Sequence, residues 1–467
     1  MALQDIEHVV IVLMENRSFD HMLGYLSLAD ANPTMVVEGL RDDPKWQAQF
    51  INDCGGKHYP LHVLHPTDQN IDDPPHDMPD IRTQITTPTH GNASAQMGGF
   101  VQSYTNASPP AHDLSAVTGY YKKNAVPTSD FFARNFCVCD HWFSALPSGT
   151  QVNRLMAMAG ESKIDNNVSS IFDFLDQPLV YDWLNTNRIP WCSYQWGGFP
   201  FFTLMQSWRW KILLSLNDET GTANFRWYSK FADQWNTAGD IIPSVIFIEP
   251  EYSNNPAPID PNDDHCPTGV AKGQQFLADI YSTLISNFAR WSKTLMIVTY
   301  DEHGGFFDHM TPMQVPCEAG GYPFKTTGIR VPGFIISPFV APGQPSSKPF
   351  DHTAILQLLA ERFTPKVPFS DAVASRQMYF DQLSSILTDR PQAGAPLLTA
   401  KPSLEQLQAA RPHYHPTDST SKAFQGVVQE LKTKHPEWLD QPRWRSLSQF
   451  LAANADAAMR LQPGAIA

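Results

Sequence analysis

The sequence predicts a layered α/β/α fold in which helices cover both faces of a central, mainly parallel sheet. Three observations predict it: continuous apolar runs, amphipathic helical patterns between those runs, and frequent turn-forming residues. Strands that are buried on both faces are apolar throughout, and their alternation with helices favours a layered arrangement. The 26 glycines and 39 prolines among 467 residues indicate short elements that are separated by long surface loops.

Four apolar runs are interpreted as strands of this sheet. They are Val9–Met14, Val245–Ile248, Leu295–Thr299 and Gly333–Ile336. The first three run into acidic or amide residues within two positions of their ends. Because ligands of open α/β sheets bind at the carboxyl ends of strands, we expect these polar residues to surround one site.

Two helical patterns and three irregular stretches complete the predicted organisation. The helical patterns are Ala271–Asn287, whose apolar residues recur at intervals of three and four, and Asp351–Phe363. The stretches that do not fit the alternation are about 54–115, 191–235 and the tail beyond about 390. We therefore expect one main domain over 1–390, with loop insertions at about 54–115 and an aromatic cap or lid at 191–235. A helical C-terminal extension over 391–467 is expected to pack on the outside.

The composition excludes some classes of partner. With 33 Lys+Arg and 47 Asp+Glu, the net charge is −14, and nucleic-acid backbones bind clustered Lys and Arg. No nucleic-acid partner is therefore expected, whereas a small phosphate ester could still bind at a metal ion, which sets the local field. The beginning of the sequence lacks the basic front and small-residue cleavage site of a secretory signal. We accordingly expect either a cytoplasmic location or a signal-independent export route.

Candidate metal ligands follow two of the predicted strands. Glu15 and Asn16 follow the first, and Asp301 and Glu302 follow the third. Hard divalent cations bind carboxylate and amide oxygens. Hydrogen bonding at a strand end could explain the first pair alone, but the two pairs together favour a metal centre.

A hydroxyl residue, Thr150, stands where a loop enters a helical pattern, in the segment LPSGTQVNR (146–154). Such a hydroxyl is often an N-cap, but it can also be a nucleophile that a metal ion and a helix N-terminus activate. Arg154, four residues further on, could bind phosphate oxygens. Spacing leaves both interpretations of Thr150 open.

Several motifs together resemble the bacterial phospholipase C and acid phosphatase family of the alkaline phosphatase superfamily. The most specific are ENRSFDH (15–21) and YDEHGGFFDH (300–309), and further matches are NDDHCP (262–267) and FDHT (350–353). The resemblance keeps the family's order from about residue 6 to about residue 365. It implies an alkaline-phosphatase-like fold and a catalytic function for the main domain.

The resemblance also implies roles for individual residues. Glu15, Asn16, Asp301 and Glu302 correspond to ligands of a divalent metal ion, and Thr150 to a nucleophile that also touches the metal. His265 and His76 correspond to active-site histidines, although His90 and His112 are rivals for the position of His76. His303, His309 and His352 lie in family motifs, and whether they reach the site is left open.

The segment 191–235 holds six of the twelve tryptophans. It is interpreted either as a buried aromatic cluster or as a rim that contacts lipid and binds a quaternary ammonium group by cation–π interactions. The expected function is that of a metal-dependent phospholipase C, which cleaves phospholipids such as phosphatidylcholine through Thr150 and contacts the membrane surface transiently. The alternatives are a broad-specificity acid phosphatase on the same site and a non-catalytic protein that binds phosphate or lipid.

Overall fold

The centre of the molecule is a seven-stranded sheet. The computed structural model describes residues 2–91, 96–218, 220, 222–238, 242–256, 258–410, 418–441 and 444. In chain order the strands of the sheet are β1 (His8–Met14), β2 (Cys137–Val138), β3 (Trp191–Gln195), β4 (Phe225–Trp227), β5 (Val245–Glu249), β6 (Thr294–Tyr300) and β7 (Gly333–Ile336). Across the sheet their order is β2-β7-β6-β1-β5-β3-β4.

Parallel pairing dominates this sheet. Strand β1 lies between β5 and β6 and is parallel to both, and β3 and β4 continue the parallel pairing beyond β5. Strand β7 has the predicted bounds but is antiparallel to β6 and to β2. The predicted α/β fold with a mainly parallel central sheet is therefore confirmed.

Helices cover the sheet, and four of them matter for the site. These are α1 (Thr150–Ala159), α2 (Val270–Ser286), α3 (Thr353–Phe363) and α4 (Ser419–Lys434). The other α-helices of the described residues are Ala2–Asp5, Phe19–Leu23, Pro44–Gln47, Met78–Thr86, Phe100–Tyr104, Pro127–Asn135, Val180–Thr186, Gln206–Asn217, Phe231–Asn236, Phe288–Trp291, Asp371–Arg376 and Leu404–Ala409. None of the helices in the described part of the chain combines the length and apolar character that a bilayer span requires.

Short strands outside the central sheet form local pairs. One of them changes a predicted helix boundary: α3 begins at Thr353 rather than Asp351, because Phe350–Asp351 is a short strand that pairs with Trp142–Phe143. The Asp351 carboxylate accepts a hydrogen bond from the Thr353 backbone N–H at the start of the helix. The remaining pairs are Asn52–Cys54 with Lys57–Tyr59, His62–Val63 with Gly119–Tyr120, and Gln314–Ala319 with Tyr322–Thr326.

The aromatic segment 191–235 is predicted to be a cap or lid outside the alternating strands and helices, but the structure shows otherwise. It supplies β3 and β4 to the central sheet. Trp191 stacks on Tyr181 and packs edge-on against Phe225, so these rings fill the space between a helix and the sheet edge. Among its tryptophans, Trp191, Trp208 and Trp235 are buried, and the other three are half-buried. The pattern of aromatic residues therefore reflects a packed core at this edge.

The C-terminal extension contains helix α4 in its described part. Phe424 of α4 packs against Phe199 and Phe201, which lie just after β3. Its Ala-rich end, which the sequence also predicts to be helical, lies outside the described residues.

Candidate active site

The residues that follow β1 and β6 meet at one edge of the sheet. Met14 and Tyr300 are paired in the parallel register, so the next residues of both strands are neighbours. The backbone N–H of Asn16 donates to Asp301 Oδ1 over 3.0 Å. Asn16 has a left-handed backbone (φ 59°), a conformation that asparagine adopts more readily than most residues. The structure thus brings Glu15, Asn16, Asp301 and Glu302 to the same place.

Thr150 faces these strand ends from helix α1. Gly149, not Thr150, occupies the N-cap position, so Thr150 is the first residue of the helix and its hydroxyl is not the cap. Its Oγ1 donates to Asn16 Oδ1 over 3.3 Å. A Cβ atom at position 149 would lie 2.4 Å from the side chain of Asn167, so glycine permits this close approach. We call Glu15, Asn16, Thr150, Asp301 and Glu302 the strand-end cluster.

The oxygens of the strand-end cluster fit a divalent cation. Both carboxylate oxygens of Glu15, Oδ2 of Asp301 and Oε1 of Glu302 are buried without a hydrogen-bond partner among the described residues. Burial raises the pKa of Asp301 to about 8, and the nearby charges of Glu15 and Glu302 contribute, against the opposing effect of Arg154. Buried anionic oxygens that accept no hydrogen bond are costly, and a hard cation is a ligand that satisfies them.

Arg154 lies behind the carboxylates. Its Nη2 is 3.0 Å from Glu15 Oε1, and its Nε is 3.4 Å from Asp301 Oδ2. The guanidinium stacks over the rings of Phe201 and Tyr252 at 4.8 Å from each centroid, and Nη1 donates to the Tyr252 hydroxyl. Arg154 therefore pairs with two carboxylates of the strand-end cluster, and its contact with phosphate stays a prediction.

His76 reaches the site from the long insertion. Its Nδ1 donates to the Pro74 carbonyl over 2.6 Å, and its Nε2 lies 3.1 Å from Asn16 Nδ2. Burial lowers the pKa of His76, but the carboxylates of Glu302 and Asp73 outweigh burial and raise it to about 9. The rivals His90 and His112 are 43% and 88% exposed and pair with other aspartates. Of the three histidines, His76 contacts the strand-end cluster.

His265 lies beside His76, with the ring centroids 5.5 Å apart. Its Nδ1 is 2.8 Å from Asn254 Oδ1 and 3.3 Å from Glu15 Oε2, and its Nε2 is 3.4 Å from Asp73 Oδ1. Burial opposes the charged form, but Asp73 and Glu15 raise the pKa of His265 well above its usual value. Both histidines therefore favour the protonated form, with His265 beside Glu15 and His76 beside Asn16.

Asp73 belongs to the site although sequence reasoning does not single it out. Its Oδ1 lies 3.4 Å from His265 Nε2 and 3.9 Å from His76 Nδ1. The signal is the segment DDPPH (72–76), in which two prolines hold an aspartate and a histidine at a fixed separation. The same residues form one of the clusters of the described chain that could hold a metal ion: Asp73, His76 and His265.

His303, His309 and His352 lie in family motifs, and the structure shows which of them reach the site. His303 Nδ1 is 3.3 Å from Glu302 Oε2, and its Nε2 lies 2.7 Å from Gln84 Oε1. His352 Nε2 donates to the backbone carbonyl of Asp301 over 2.6 Å, and burial lowers its pKa to about 4. His303 and His352 therefore touch the strand-end cluster from behind, one through a side chain and the other through the backbone.

His309 lies in a second buried cluster, with Asp20, Asp308 and Arg330, which we call the Arg330 cluster. His309 Nδ1 is 2.6 Å from Asp20 Oδ2, and Arg330 Nη2 is 2.9 Å from Asp20 Oδ1. Arg330 Nε is 3.1 Å from Asp308 Oδ2. This cluster contains its own cations, and His309 does not contact the strand-end cluster in any hydrogen bond of the described residues.

Known proteins resemble this chain over most of its length. Non-specific phospholipase C5 of Arabidopsis thaliana is 28% identical over 430 residues, which cover 85% of this chain and 77% of that protein. Phospholipase C A of Mycobacterium tuberculosis is 28% identical over 457 residues, which cover 86% of this chain and 82% of that protein. A solved structure of a protein in the alkaline phosphatase superfamily from Vibrio parahaemolyticus aligns with a TM-score of 0.31, at 9% identity over 51% of this chain and 60% of that chain.

The model of the Phosphoesterase family matches residues 6–366. This range agrees with the resemblance from about residue 6 to about residue 365 that the motifs indicate. It includes the whole strand-end cluster together with His76 and His265. The chain therefore belongs to the Phosphoesterase family and is a phosphoric ester hydrolase.

Proposed function

We propose that the chain is a phospholipase C that hydrolyses phospholipids such as phosphatidylcholine, with Thr150 as the nucleophile. The observation that carries the proposal is the Thr150 hydroxyl, which lies 3.3 Å from Asn16 Oδ1 beside carboxylates with unsatisfied oxygens. The relatives named phospholipase C, which are similar over most of the chain, support this substrate class.

In this proposal Glu15, Asn16, Asp301, Glu302 and Thr150 hold a divalent cation, whose identity the oxygen ligands do not specify. When bound, the cation supplies positive charge that lowers the pKa of a nearby hydroxyl and neutralises phosphate oxygens. Arg154 would hold Glu15 and Asp301 in place from behind, since its nitrogens already contact both.

The protein groups can carry out the reaction in two steps. The Thr150 hydroxyl loses its proton as Oγ1 attacks phosphorus, the bond from phosphorus to the glycerol oxygen breaks, and that oxygen takes up a proton so that diacylglycerol leaves. Water then attacks the phosphothreonine, which releases the phosphorylated head group and restores the hydroxyl. His76 and His265 can bind the equatorial oxygens and donate the proton, because neighbouring carboxylates favour their protonated forms.

A broad-specificity acid phosphatase is the second candidate. The observation that favours it is the burial of Trp191, Trp208 and Trp235, because buried rings cannot form a lipid-binding rim or a cage for a quaternary ammonium group. The strand-end cluster would serve a phosphate monoester equally well, since the chemistry at phosphorus is the same. Transient contact with a membrane surface belongs to the phospholipase proposal alone.

The test compares turnover of phosphatidylcholine in mixed micelles with turnover of an aryl phosphate monoester, on one preparation of metal-replete enzyme. We expect the larger kcat/KM on the phospholipid. Thr150→Ala is expected to lower turnover of both substrates by about 1000-fold or more, because the nucleophile is removed. Thr150→Ser keeps the hydroxyl and serves as the matched control, with a much smaller loss.

Each alternative has its own outcome in this experiment. A monoester preference of several orders of magnitude would replace the phospholipase with the acid phosphatase. Unchanged turnover in Thr150→Ala would remove Thr150 as the nucleophile. Phospholipid binding without turnover in the wild type would favour the non-catalytic binding protein.

A further inference from the structure

Asp418 stands at the beginning of helix α4, in the C-terminal extension. It is the N-cap residue of α4, and its Oδ1 accepts a hydrogen bond from the backbone N–H of Ser421 over 2.8 Å. Its Oδ2 is buried without a hydrogen-bond partner among the described residues. A carboxylate has more acceptor capacity than one helix cap uses, and Oδ1 of Asp418 accepts a second hydrogen bond.

Asp418 is linked to His265 by one side chain, that of Asn254. Asn254 Nδ2 donates to Asp418 Oδ1 over 3.0 Å, and Asn254 Oδ1 lies 2.8 Å from His265 Nδ1. Asn254 and His265 are 2% and 3% exposed, so the hydrogen bond between them is shielded from water, whereas Asp418 is half-buried. The C-terminal extension thus reaches an active-site histidine through two consecutive hydrogen bonds.

The chemistry of the three groups sets the direction of both bonds. An ionised carboxylate can only accept hydrogen bonds, so the amide of Asn254 must turn its NH₂ group towards Asp418. Its carbonyl oxygen then faces His265 and can only accept, so His265 Nδ1 must carry a hydrogen. The ring orientation that follows directs His265 Nε2 towards Asp73, at 3.4 Å.

We propose that Asp418 is a positioning residue, which acts through Asn254 to fix the ring orientation and the Nδ1 hydrogen of His265. The C-terminal extension is then a working part of the site, and not only an outer layer of helices. The proposal rests on the proposed function for the role of His265 in turnover, but the arrangement of the three side chains can be measured separately.

Two substitutions at position 418 separate this role from helix capping. Serine and asparagine both cap helices well. Asp418→Asn keeps an oxygen that can accept from both Ser421 and Asn254, whereas Asp418→Ser keeps a cap but is too short to reach Asn254. We expect Asp418→Ser to lower kcat by about 10-fold with KM changed by less than about twofold, as the loss of one buried hydrogen bond would do. Asp418→Asn is expected to stay within about threefold of the wild type.

Glu430→Gln is the matched control on the same helix. Glu430 ties α4 to helix Gln206–Asn217 through a contact of 2.5 Å with Arg209, far from the Asp418–Asn254–His265 bonds. We expect it to lower the thermal midpoint about as much as Asp418→Ser does, but to leave kcat within about twofold. An equal loss of kcat in Glu430→Gln and Asp418→Ser would overturn the proposal, because general loosening of α4 would then explain both.

A double-mutant cycle tests the route of the effect. If Asp418 acts through His265, adding Asp418→Ser to His265→Ala causes no further loss of kcat, whereas a full additional loss overturns the proposal. Histidine ¹⁵N NMR of the metal-replete enzyme gives a readout that does not depend on turnover. We expect the Nδ1 signal of His265, assigned by its absence in His265→Ala, to move in Asp418→Ser and to stay in Asp418→Asn.

The failures of the two proposals can be told apart. Wild-type turnover in His265→Ala would remove His265 from the mechanism, while a shifted Nδ1 signal in Asp418→Ser would still support the positioning role. An unmoved Nδ1 signal in folded Asp418→Ser would overturn the positioning role whatever the activity. An equal loss of kcat in Asp418→Asn and Asp418→Ser would overturn it as well, because the retained acceptor would then have no effect.

Discussion

The strand-end cluster and the Arg330 cluster draw residues from the same two motifs, but only in the Arg330 cluster does every carboxylate oxygen accept a hydrogen bond from the protein. The motif ENRSFDH (15–21) supplies Glu15 to the first and Asp20 to the second, and YDEHGGFFDH (300–309) supplies Glu302 and Asp308. In the Arg330 cluster every oxygen of the two aspartates accepts from an arginine, a histidine or a backbone N–H. In the strand-end cluster four carboxylate oxygens accept no hydrogen bond among the described residues, although nitrogens of Arg154, His265 and His76 lie 3.0 to 3.9 Å from them.

This difference favours a structural role for the Arg330 cluster and a ligand-binding role for the strand-end cluster. Removing one partner from a buried, fully paired set leaves an uncompensated charge, so the Arg330 cluster should matter for stability. Unsatisfied buried oxygens cost stability, and active sites commonly carry such a cost because function requires it. The two motifs contribute residues to both clusters, so belonging to a motif does not show which role a residue has. Whether its carboxylate oxygens accept hydrogen bonds from the protein does.

Metal removal is the strongest test of this comparison. We expect chelation and dialysis to lower turnover by about 1000-fold or more, because in the proposed function a cation on the strand-end oxygens neutralises phosphate charge and activates the nucleophile. Re-addition of a divalent ion should restore turnover and raise the thermal midpoint, as binding to the folded state does. Full turnover by a chelated sample that elemental analysis shows to be metal-free would contradict the assignment.

Glu302→Gln tests the strand-end cluster without removing the metal from solution. In the wild type, Glu302 Oε2 accepts a hydrogen bond from the Gly304 backbone N–H over 2.8 Å. The side-chain oxygen of glutamine can accept the same hydrogen bond. We expect turnover to fall by about 100-fold, as changes near metal sites do, and metal affinity to fall with it. The free energy of unfolding of the chelated protein, measured in urea, should change by less than about 1 kcal/mol. Oε1 has no hydrogen bond to lose, and the lost attraction to His76 is offset by the relieved repulsion from Asp301. A large loss of stability with normal turnover would reverse the roles of the two clusters.

Asp308→Asn is the corresponding change in the Arg330 cluster. We expect it to lower the free energy of unfolding by about 3 kcal/mol, because it removes the charge that faces buried Arg330. Turnover at a temperature where the variant is folded should stay within about threefold of the wild type, and its response to chelation should match the wild type. A variant with full stability and little turnover would place Asp308 in the chemistry instead.

Local patterns predicted the strand-end positions well. The apolar runs of β1 and β6, each followed by two polar residues, carry the information that places Glu15 and Asp301 at one edge of the sheet. The direction of β7 could not be predicted this way, because an apolar run of four residues does not record which neighbour it pairs with. Arg154 is predicted to bind phosphate because it lies four residues after Thr150. Spacing alone does not show that its guanidinium also contacts Glu15 and Asp301.

Residues that act across long separations were missed. Asn254 and Asp418 are 164 positions apart, and no periodicity or motif connects them. Asp73 has a local signal in its prolines, but its partner His265 is supplied by a distant loop. The density of aromatic residues in the segment 191–235 predicts a separate cap. In the structure the segment forms two strands at one edge of the sheet, and its Trp191 packs against Tyr181 and Phe247. In each case the contact depends on how distant parts of the chain pack together, which local sequence patterns do not record.

The smallest expected effect concerns His309 and the pH dependence of the Arg330 cluster. Burial opposes its charged form, but Asp20 and Glu38 raise the pKa of His309 to about 9. A folded-state pKa above the unfolded value, about 6.5, means that the charged form stabilises the fold. This contribution is fully present below about pH 6.5 and is lost as pH rises through about 9.

His309→Gln removes this charge and keeps a side chain that can donate to Asp20. In urea unfolding of chelated protein, we expect it to be less stable than the wild type by about 2 kcal/mol at pH 6, and by less than about 1 kcal/mol at pH 10. The difference must shrink as pH rises, because only the wild type has an imidazolium at position 309 that loses its proton over this range. A difference that stays constant between the two pH values would show that His309 stabilises the Arg330 cluster by packing and neutral hydrogen bonds, and not by its charge.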